Sequence, residues 1–431
     1  MKKKMGGRFF ASLVIFSLIG QIAWVVENMY FNVFLYKMFN ASASDISAMV
    51  AASAVAATLT TVFIGALSDR IGKRKLFICA GYILWGISIL AFAALRADII
   101  EPLFPSVVSA ASAGVSLVII FDCVMTFFGS SANDACFNAW LTDSTDDTNR
   151  GRAEGINAMM PMMAIIAVFG GTMWADTSNA SHWSILFIII GGIVIAAGIL
   201  GIFLIKEENT IQIDKGSYFG NIIYGFRPSV IRNNVRLYIT LAAFTVFGIS
   251  IQIFMPYLIL YYTEALHLDN YVFIMAPAII IAGVVTAFYG RVYDKKGYLP
   301  SLIPALILLL AGYAVLFICK NTALVFVGSL FMITGYLASS AVFGAMIRTC
   351  TPEGMAGRFQ GLRIVGQVLI PGVVGPAIGA AVLKGAKTVV NTDGTTSFIP
   401  NEYIYLAAAG MLVLVACVLI VHKLVLKKEK V

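Results

Sequence analysis

Twelve apolar stretches constrain this chain more than any other feature, because each is near the length that a helix needs to cross a bilayer. A helix rises about 1.5 Å per residue, so about 20 residues cross the hydrocarbon core. With 60% apolar and only 12% charged residues among 431, the composition excludes a soluble globular domain. We therefore predict an all-α membrane protein with twelve transmembrane helices. The stretches cover approximately residues 9–36, 46–67, 76–95, 113–139, 154–175, 182–205, 237–262, 270–292, 299–319, 322–347, 361–383 and 403–422.

The positions of the cations predict the orientation of these spans. The net charge of +8 alone would be compatible with a nucleic-acid partner. If the N-terminus is cytoplasmic, however, almost all of the 30 Lys and Arg residues fall in inside segments, which is the positive-inside pattern. We therefore expect a multi-pass protein of the cell (plasma) membrane with both termini cytoplasmic and no nucleic-acid partner. The cations left outside are Lys37, Arg96, Lys320, Lys384 and Lys387.

Two short motifs occur twice in the chain. Gly65, Asp69 and Gly72 recur, with the same internal spacing, 225 residues later in the sequence GRVYDKKG of residues 290–297. The sequence GRAEG at 151–155 recurs as GRFQG at 357–361. Both pairs occupy equivalent places in a twelve-span chain, which indicates two homologous halves.

The longest polar interval between spans, residues 206–236, separates these halves. We predict two pseudo-symmetric six-helix bundles, residues 1–205 and 237–431. The interval itself is predicted to be a cytoplasmic loop with a short amphipathic helix at 218–226. Repeats of this kind place a substrate site near the midplane between the bundles.

The sequence GALSDRIGKRK of residues 65–75 resembles the signature between helices two and three of the major facilitator superfamily. The twelve spans, the degraded second copy and the long central loop extend the resemblance over the whole chain. NDACFNAWLTDSTDDTNR, residues 133–150, is similar to a stretch of the glycoside, pentoside and hexuronide cation symporters, which include melibiose permease. That group implies a carboxylate cluster with members on helix two, whereas this chain has no acid between Asp45 and Asp69.

The superfamily resemblance also implies a gating motif on the cytoplasmic side. Asp69 would cap a helix N-terminus of the opposite bundle near residues 357–361, and Arg70 would pair with an acid such as Asp143. A carboxylate at a helix N-terminus is stabilised by the helix dipole, so this contact would act as a latch. The expected gating residues are Gly65, Asp69, Arg70, Gly72, Arg74, Asp143, Arg150, Arg152, Asp294 and Arg358.

Three acids, Glu27, Asp122 and Asp134, are predicted to lie within spans. A carboxylate at mid-depth costs about 2.5–3.5 kcal/mol on insertion scales, so such groups usually face a cavity or relay protons. On an α-helix, Asp122, Thr126, Gly129 and Asn133 would fall within about 40° of one another. The matching positions of the second half carry no acid, which favours a cation-coupling site in the first half, for a proton in preference to sodium. The alternative for Glu27 is a bridge between neighbouring helices.

Amides and aromatic side chains dominate the predicted substrate lining. Amides both donate and accept hydrogen bonds from hydroxyl groups, and aromatic rings stack on apolar faces of sugars, which favours a neutral sugar or glycoside. The alternative is that these groups join neighbouring helices. Arg363, near the start of span 11, could pair with an acidic substrate or snorkel to the cytoplasm, and we favour snorkelling. The expected substrate-binding residues are Gln21, Trp24, Asn28, Asn32, Asn133, Gln252, Tyr257, Tyr261 and Gln367.

We thus expect a secondary active transporter that works by alternating access and takes up a sugar or glycoside with a cation. A proton-coupled drug or metabolite efflux antiporter of the same superfamily is the alternative, since the methionines at 159, 160, 162 and 163 suit an adaptable apolar pocket. The sequence holds no phosphate loop, metal-ligand spacing or nucleophile elbow, so we expect no enzyme, no cofactor and no metal. The expected partners are a small-molecule substrate, a coupling cation and the lipid bilayer, and the carrier is expected to be monomeric.

Overall fold

The computed structural model describes residues 6–103, 106–145, 150–206, 223–268, 270–352, 359–391 and 395–428. Twelve helices in this part of the chain are long and apolar enough to cross a membrane, which confirms the predicted all-α class. We number them as spans 1 to 12. Their bounds are Gly7–Phe39, Ala43–Ser68, Arg74–Phe92, Ala110–Asp143, Gly155–Thr172, Ala180–Leu204, Val235–Ala265, Val272–Lys296, Tyr298–Ile318, Thr322–Cys350, Gly361–Leu383 and Tyr403–Lys423.

Four of the spans contain a π-helical turn. In spans 1 and 4 it covers Val26–Tyr30 and Ser130–Phe137. In spans 7 and 11 it covers Tyr261–Ala265 and Val365–Leu369. A π turn accommodates an extra residue and rotates everything beyond it by about 100° relative to a continuous α-helix. The four turns hold many of the residues that the sequence predicted for coupling and substrate binding.

Several helices extend beyond their spans, and the connections carry short elements. The helix of span 2 runs Ala43–Ile71, that of span 4 begins at Val107, that of span 5 runs Arg150–Thr172, and that of span 12 ends at Lys428. Helical turns in the connections cover Ala97–Ile100, Glu101–Leu103, Tyr224–Phe226 and Pro228–Asn233. A hairpin between spans 11 and 12 pairs Thr388–Val390 antiparallel with Thr396–Phe398. The predicted amphipathic helix lies mostly outside the described residues, and its last three residues form a 3₁₀ turn.

The chain divides into two compact units. The first comprises Met1–Asp45 with Ala52–Gly216, and the second comprises Ile46–Ala51 with Ser217–Val431. The predicted bundle limits, 205 and 237, stay predictions.

Close approach of glycines holds spans 3 and 6 together in the first unit. A Cβ atom on Gly86 would lie 2.6 Å from the Gly191 carbonyl oxygen, and one on Gly191 would lie 2.8 Å from the Gly86 carbonyl oxygen. Since lipid is as apolar as the helices, contact of this kind rather than hydrophobic burial drives their association. In the second unit, spans 9 and 10 approach in the same way, with Gly312 against the Met332 backbone.

The two copies of the glycine motif end their helices in corresponding places. The helix of span 2 is followed directly by Gly72 with φ 70°, and span 8 is followed directly by Gly297 with φ 79°, values that favour glycine. The Gly72 N–H donates to the Ser68 carbonyl at 2.9 Å, and the Gly297 N–H donates to the Tyr293 carbonyl at 2.8 Å. The same 225-residue shift relates the donors and the acceptors.

Substitution at two adjacent glycines of span 6 tests the packing of span 6 against span 3. Gly191→Ala forces a methyl group against the Gly86 carbonyl and the Leu90 side chain, and we expect it to cost about 1–3 kcal/mol. The thermal unfolding midpoint of the detergent-solubilised protein should fall accordingly. Gly192→Ala is the control, because its Cβ meets nothing within 4 Å and alanine is the better helix former. Equal midpoints for the two variants would contradict the glycine contact.

Candidate functional site

Glu27 joins three spans of the first unit. It lies in the π turn of span 1 and is 7% exposed. Its Oε1 atom accepts hydrogen bonds from Ser53 Oγ of span 2 at 2.7 Å and from Thr126 Oγ1 of span 4 at 2.9 Å. The two hydroxyl oxygens lie 2.8 Å apart, so three oxygen atoms form a closed ring, which we call the hydroxyl ring.

Asp122 lies one helical turn before Thr126 on span 4, and the two share a face as the sequence analysis expected. Its side chain is 1% exposed and within electrostatic range of Glu27 and the Ser53 hydroxyl. Asp122 Oδ1 and Glu27 Oε2 are buried and find no hydrogen-bond partner among the described residues. Because an unsatisfied buried polar atom is costly, these two oxygens mark the place where a proton or cation would be stabilised.

Asp134 occupies the π turn of span 4, half-buried. It accepts a hydrogen bond from Ser130 Oγ at 3.0 Å and is within electrostatic range of Glu27. The three predicted coupling acids thus belong to one electrostatic group in the first unit.

Ser53 is the member of this group that sequence analysis missed. It stands in the alanine-rich run AASAVAA of span 2, where a single hydroxyl has no recognisable pattern. Its partners come from 26 and 73 residues away in sequence. The only available signal was that an acid in span 1 requires a donor on some neighbouring span.

Asn133 has a bridging role in the structure. It is 4% exposed, and its Nδ2 atom donates to Tyr82 Oη of span 3 at 2.6 Å. Tyr82 in turn donates to the Phe16 carbonyl of span 1 at 2.6 Å. Gly20 of span 1 packs directly against the Asn133 amide. The π turn that begins at Ser130 takes Asn133 off the α-helical stripe predicted for it, so it joins three helices instead.

The span 1 candidates for substrate binding differ in their contacts. Gln21 and Trp24 are half-buried, whereas Asn28 is exposed and donates to the Trp24 carbonyl at 2.8 Å. Asn32 is buried and donates to the Asn28 carbonyl at 2.8 Å. Within the described chain, Trp24 Nε1 and Asn32 Oδ1 are buried without hydrogen-bond partners.

In the second unit, two of the four candidates are occupied by structural contacts. Tyr257 and Tyr261 are fully buried, and their hydroxyls donate to the carbonyls of Pro376 at 3.4 Å and Leu316 at 3.2 Å. Gln252 is half-buried on span 7, beside Gly375 of span 11. Gln367 is half-buried in the π turn of span 11. For these two amides, a place in the substrate lining stays a prediction.

The expected pairing of Arg70 with Asp143 is wrong. Arg74 Nε donates to Asp143 Oδ2 at 2.8 Å, and Arg74 Nη1 donates to Ser68 Oγ at 2.8 Å. Arg70 is exposed because it lies before the Gly72 turn, whereas Arg74 begins span 3 and points inward.

The remaining predicted gating residues lie near helix ends or outside the residues that the structure describes. Gly65 is half-buried near the cytoplasmic end proposed for span 2, and Asp294 is exposed in the last turn of span 8. The side chains of Asp69, Arg150 and Arg152, and the whole of Arg358, lie outside the described residues. The predicted latch between Asp69 and residues 357–361 therefore stays a prediction.

A surface cavity of about 650 Å³ at the ends of spans 3 and 6 is separate from this site. Its lining includes Arg96 and Asp98, which form an ion pair at 2.9 Å, together with Ser184. Asp98 is exposed and Arg96 is half-buried, and Arg96 lowers the pKa of Asp98. Among the residues that the structure describes, no three His, Cys, Asp or Glu side chains are grouped to hold a metal ion.

Twelve apolar helices that bury acids at membrane depth are typical of membrane transport proteins. The family model of the Major Facilitator Superfamily matches residues 7–376, and the chain belongs to this family. It is therefore a transporter and not an enzyme. No curated protein matches the sequence.

Solved transporters share the fold at low sequence identity. A variant of the nucleoside transporter NupG is 12% identical, with TM-score 0.73, and the match covers 96% of this chain and 99% of that one. A bacterial homologue of the human lysosomal transporter Spinster is 14% identical, with TM-score 0.71 and coverage of 97% and 98%. A D-xylose-proton symporter is 14% identical, with TM-score 0.69 and coverage of 95% and 96%. At these identities the likeness establishes the fold alone.

The ion pair of Arg74 with Asp143 can be tested against its exposed neighbour Arg70. Arg74→Gln removes the charged donor of the bonds to Asp143 Oδ2 and Ser68 Oγ, and we expect a loss of about 1–3 kcal/mol. The thermal unfolding midpoint of the purified protein should fall. Arg70→Gln, at an exposed site, should stay within about 0.5 kcal/mol of the parent. If Arg70→Gln were the more damaging substitution, Asp143 would have the partner that the sequence first indicated.

Proposed function

We propose that this protein is a secondary active transporter that couples uptake of a sugar or glycoside to entry of a cation, a proton in preference to sodium. Membership of the superfamily supports the transport class. Two proteins of similar fold, described as a nucleoside transporter and a D-xylose-proton symporter, carry solutes that contain a sugar ring. The buried acids of the first unit support the coupling.

The hydroxyl ring carries the proposal of proton coupling. Three oxygen–oxygen distances of 2.7–2.9 Å require three hydrogen atoms if all are hydrogen bonds, but Ser53 and Thr126 supply only two. When Glu27 is ionised, its Oε1 atom accepts from both hydroxyls and no hydrogen atom is left for the contact between Ser53 and Thr126. When Glu27 is protonated, its O–H donates to Ser53 instead, Ser53 donates to Thr126, and Thr126 donates to Glu27. The ring is therefore complete when Glu27 is a neutral acid.

Asp122 adds a second reason for a proton. Two carboxylates that lie close together in an interior of low dielectric repel each other strongly if both are ionised. One proton on Glu27 removes that repulsion. Proton loading thus changes the charge of spans 1 and 4 together.

This change of charge provides a coupling mechanism. With Glu27 and Asp122 both ionised, reorientation would carry two charges through an occluded, water-poor state, which is costly. Protonation of Glu27 removes one of the two charges and lowers that cost, and substrate binding completes the hydrogen bonds of the lining. Only the protonated, substrate-loaded carrier then reorients readily, so the proton gradient drives accumulation.

Span 1 supports a hydroxylated substrate. On a continuous α-helix, Trp24 and Asn32 would lie about 80° apart, but the π turn between them reduces this to about 20°. Their buried, unpartnered Nε1 donor and Oδ1 acceptor then share a face. One hydroxyl group of a solute can accept from the first and another can donate to the second, which suits a sugar with several hydroxyl groups.

The remaining proposals concern placement in the membrane and gating. From the cation distribution we infer that both termini are cytoplasmic in the cell membrane. We retain the latch between Asp69 and the start of span 11 as the proposed cytoplasmic gate, with the carrier acting as a monomer.

Uptake by proteoliposomes tests the substrate class. We expect labelled neutral monosaccharides or disaccharides to accumulate when an inward proton gradient is imposed, and to equilibrate without accumulation when the gradient is collapsed. A panel should compare pentoses, hexoses, disaccharides and nucleosides at equal concentration. Extrusion of hydrophobic cations with no sugar uptake would instead identify the efflux antiporter.

Substitution of the acids tests the coupling. Glu27→Gln and Asp122→Asn keep the size of each side chain and remove its exchangeable proton. We expect each to abolish uphill accumulation and to retain downhill exchange of labelled for unlabelled substrate. Accumulation and exchange should be measured on the same proteoliposomes.

The control for this pair is Asp98→Asn, which removes a carboxylate from an exposed site outside the spans. It should leave accumulation and exchange unchanged. Sodium is distinguished from protons by repeating the uptake with an inward sodium gradient at constant pH. Undiminished proton-driven accumulation in both Glu27→Gln and Asp122→Asn would contradict the coupling mechanism.

A further inference from the structure

Two tryptophans of the first unit lie in contact well inside their spans. The ring centroids of Trp24 on span 1 and Trp85 on span 3 are 5.0 Å apart, with the ring planes at 46°. Gly129 of span 4 allows both rings to approach it, because a Cβ atom there would lie 2.7 Å from Trp85 Cε2 and 3.0 Å from Trp24 Cη2. Three spans therefore meet at Trp24 and Trp85, which we call the indole pair.

The N–H groups of the indole pair differ from those of two other buried tryptophans. Trp140 and Trp183 each donate to a backbone carbonyl, at 3.2 Å and 2.8 Å. Trp24 Nε1 and Trp85 Nε1 are also buried, but neither finds an acceptor among the described residues. An indole N–H can only donate, and a buried donor without an acceptor is costly. Two such donors on rings in contact indicate a place where a bound molecule supplies the acceptors.

The indole pair adjoins the hydroxyl ring along two spans. Trp24 lies three residues before Glu27 on span 1, and Gly129 lies three residues after Thr126 on span 4, so each is close to one helical turn away. A solute held by the indole pair would therefore lie beside the spans whose charge the proposed proton changes.

The chemistry of the indole pair favours a sugar over a hydrophobic cation. An aromatic ring can attract either, a cation by its π face or a sugar by stacking on an apolar face. A hydrophobic cation offers no acceptor to the two N–H groups. The hydroxyl oxygens of a sugar accept hydrogen bonds, and its acetal oxygens only accept, which matches groups that only donate.

We propose that Trp85 is a substrate-binding residue and that the N–H groups of Trp24 and Trp85 donate to oxygen atoms of one bound sugar or glycoside. This assignment rests on the proposed function and adds a residue of span 3 that the sequence-based prediction did not include. Trp85 is 0% exposed, so the half-buried Trp24 ring beside it must move when the solute binds.

Thermal unfolding of the full-length protein in detergent tests the indole pair without transport. The probes are D-xylose, D-galactose, methyl α-D-galactopyranoside and lactose, each titrated separately, with tetraphenylphosphonium as a hydrophobic cation that lacks an acceptor. We expect at least one sugar to raise the unfolding midpoint, because a ligand that binds only the folded state stabilises it.

Substitution by phenylalanine removes the N–H group and keeps an aromatic ring. Trp85→Phe should weaken the apparent affinity for the effective sugar by about tenfold, and Trp24→Phe should weaken it as well. Trp183→Phe is the matched control, since it makes the same change at a buried indole that donates to the Thr177 carbonyl. It should keep the parental affinity. Trp24→Phe decides the question if Trp85→Phe does not fold.

The unfolding midpoints without sugar provide a second readout. Trp85→Phe removes a donor that has no acceptor among the described residues, whereas Trp183→Phe breaks a hydrogen bond and leaves a carbonyl without its donor. The midpoint should therefore fall less in Trp85→Phe than in Trp183→Phe. An equal or larger fall in Trp85→Phe would mean that the Trp85 N–H already has an acceptor within the protein, which overturns the assignment.

The assignment is also overturned if Trp85→Phe and Trp24→Phe bind the effective sugar as tightly as the parent does. That result would leave the proposed sugar uptake standing, because the parent would still bind a sugar. If no sugar raises the midpoint of the parent, or if tetraphenylphosphonium alone does so, the proposed function and the assignment fail together.

Discussion

The hydrogen bonds to Glu27 are the interaction on which the first unit depends. An acid in an apolar interior is stable only if its oxygens are satisfied or neutralised, and here Ser53 and Thr126 bring spans 2 and 4 to span 1 for that purpose. The association of these helices gains little from hydrophobic burial, since lipid solvates their outer faces equally well. The same contacts therefore hold the spans together and make that assembly sensitive to the protonation of one carboxyl group.

Length and hydropathy predicted the twelve spans well, because a lipid environment forces the backbone to satisfy itself within each helix. The repeated glycine motif has a local structural counterpart, since Gly72 and Gly297 adopt φ angles that glycine adopts without strain and each follows the end of a helix. These features depend on local sequence alone. Features that depend on which helices meet were predicted less well, and Arg74 took the partner expected for Arg70 because span 3, and not span 2, presents its cation to Asp143.

The π turns explain most of what the sequence could not predict within the site. A helical wheel assumes about 100° per residue throughout, and one π turn invalidates it for every later residue. Asp122 and Thr126 precede the turn in span 4 and lie as predicted, whereas Asn133 lies within it and bridges to Tyr82 instead. Ser53 was invisible for a different reason, because its role exists only through contacts with two other spans.

Neighbouring spans are joined by side-chain hydrogen bonds in both units, but the groups that form these bonds differ. In the second unit, neutral hydroxyls join the spans: Tyr262 contacts Ser329 at 2.6 Å, and Ser250 contacts Tyr313 at 3.2 Å. A tyrosine hydroxyl ordinarily stays neutral across the cell's pH range, so these bonds are insensitive to protons, whereas a carboxyl group can exchange its proton. Joining helices through acids costs more than joining them through hydroxyls, and the cost is worthwhile only where the charge must change. The placement of the buried Glu27 and Asp122 in the first unit is therefore what the proposed coupling predicts.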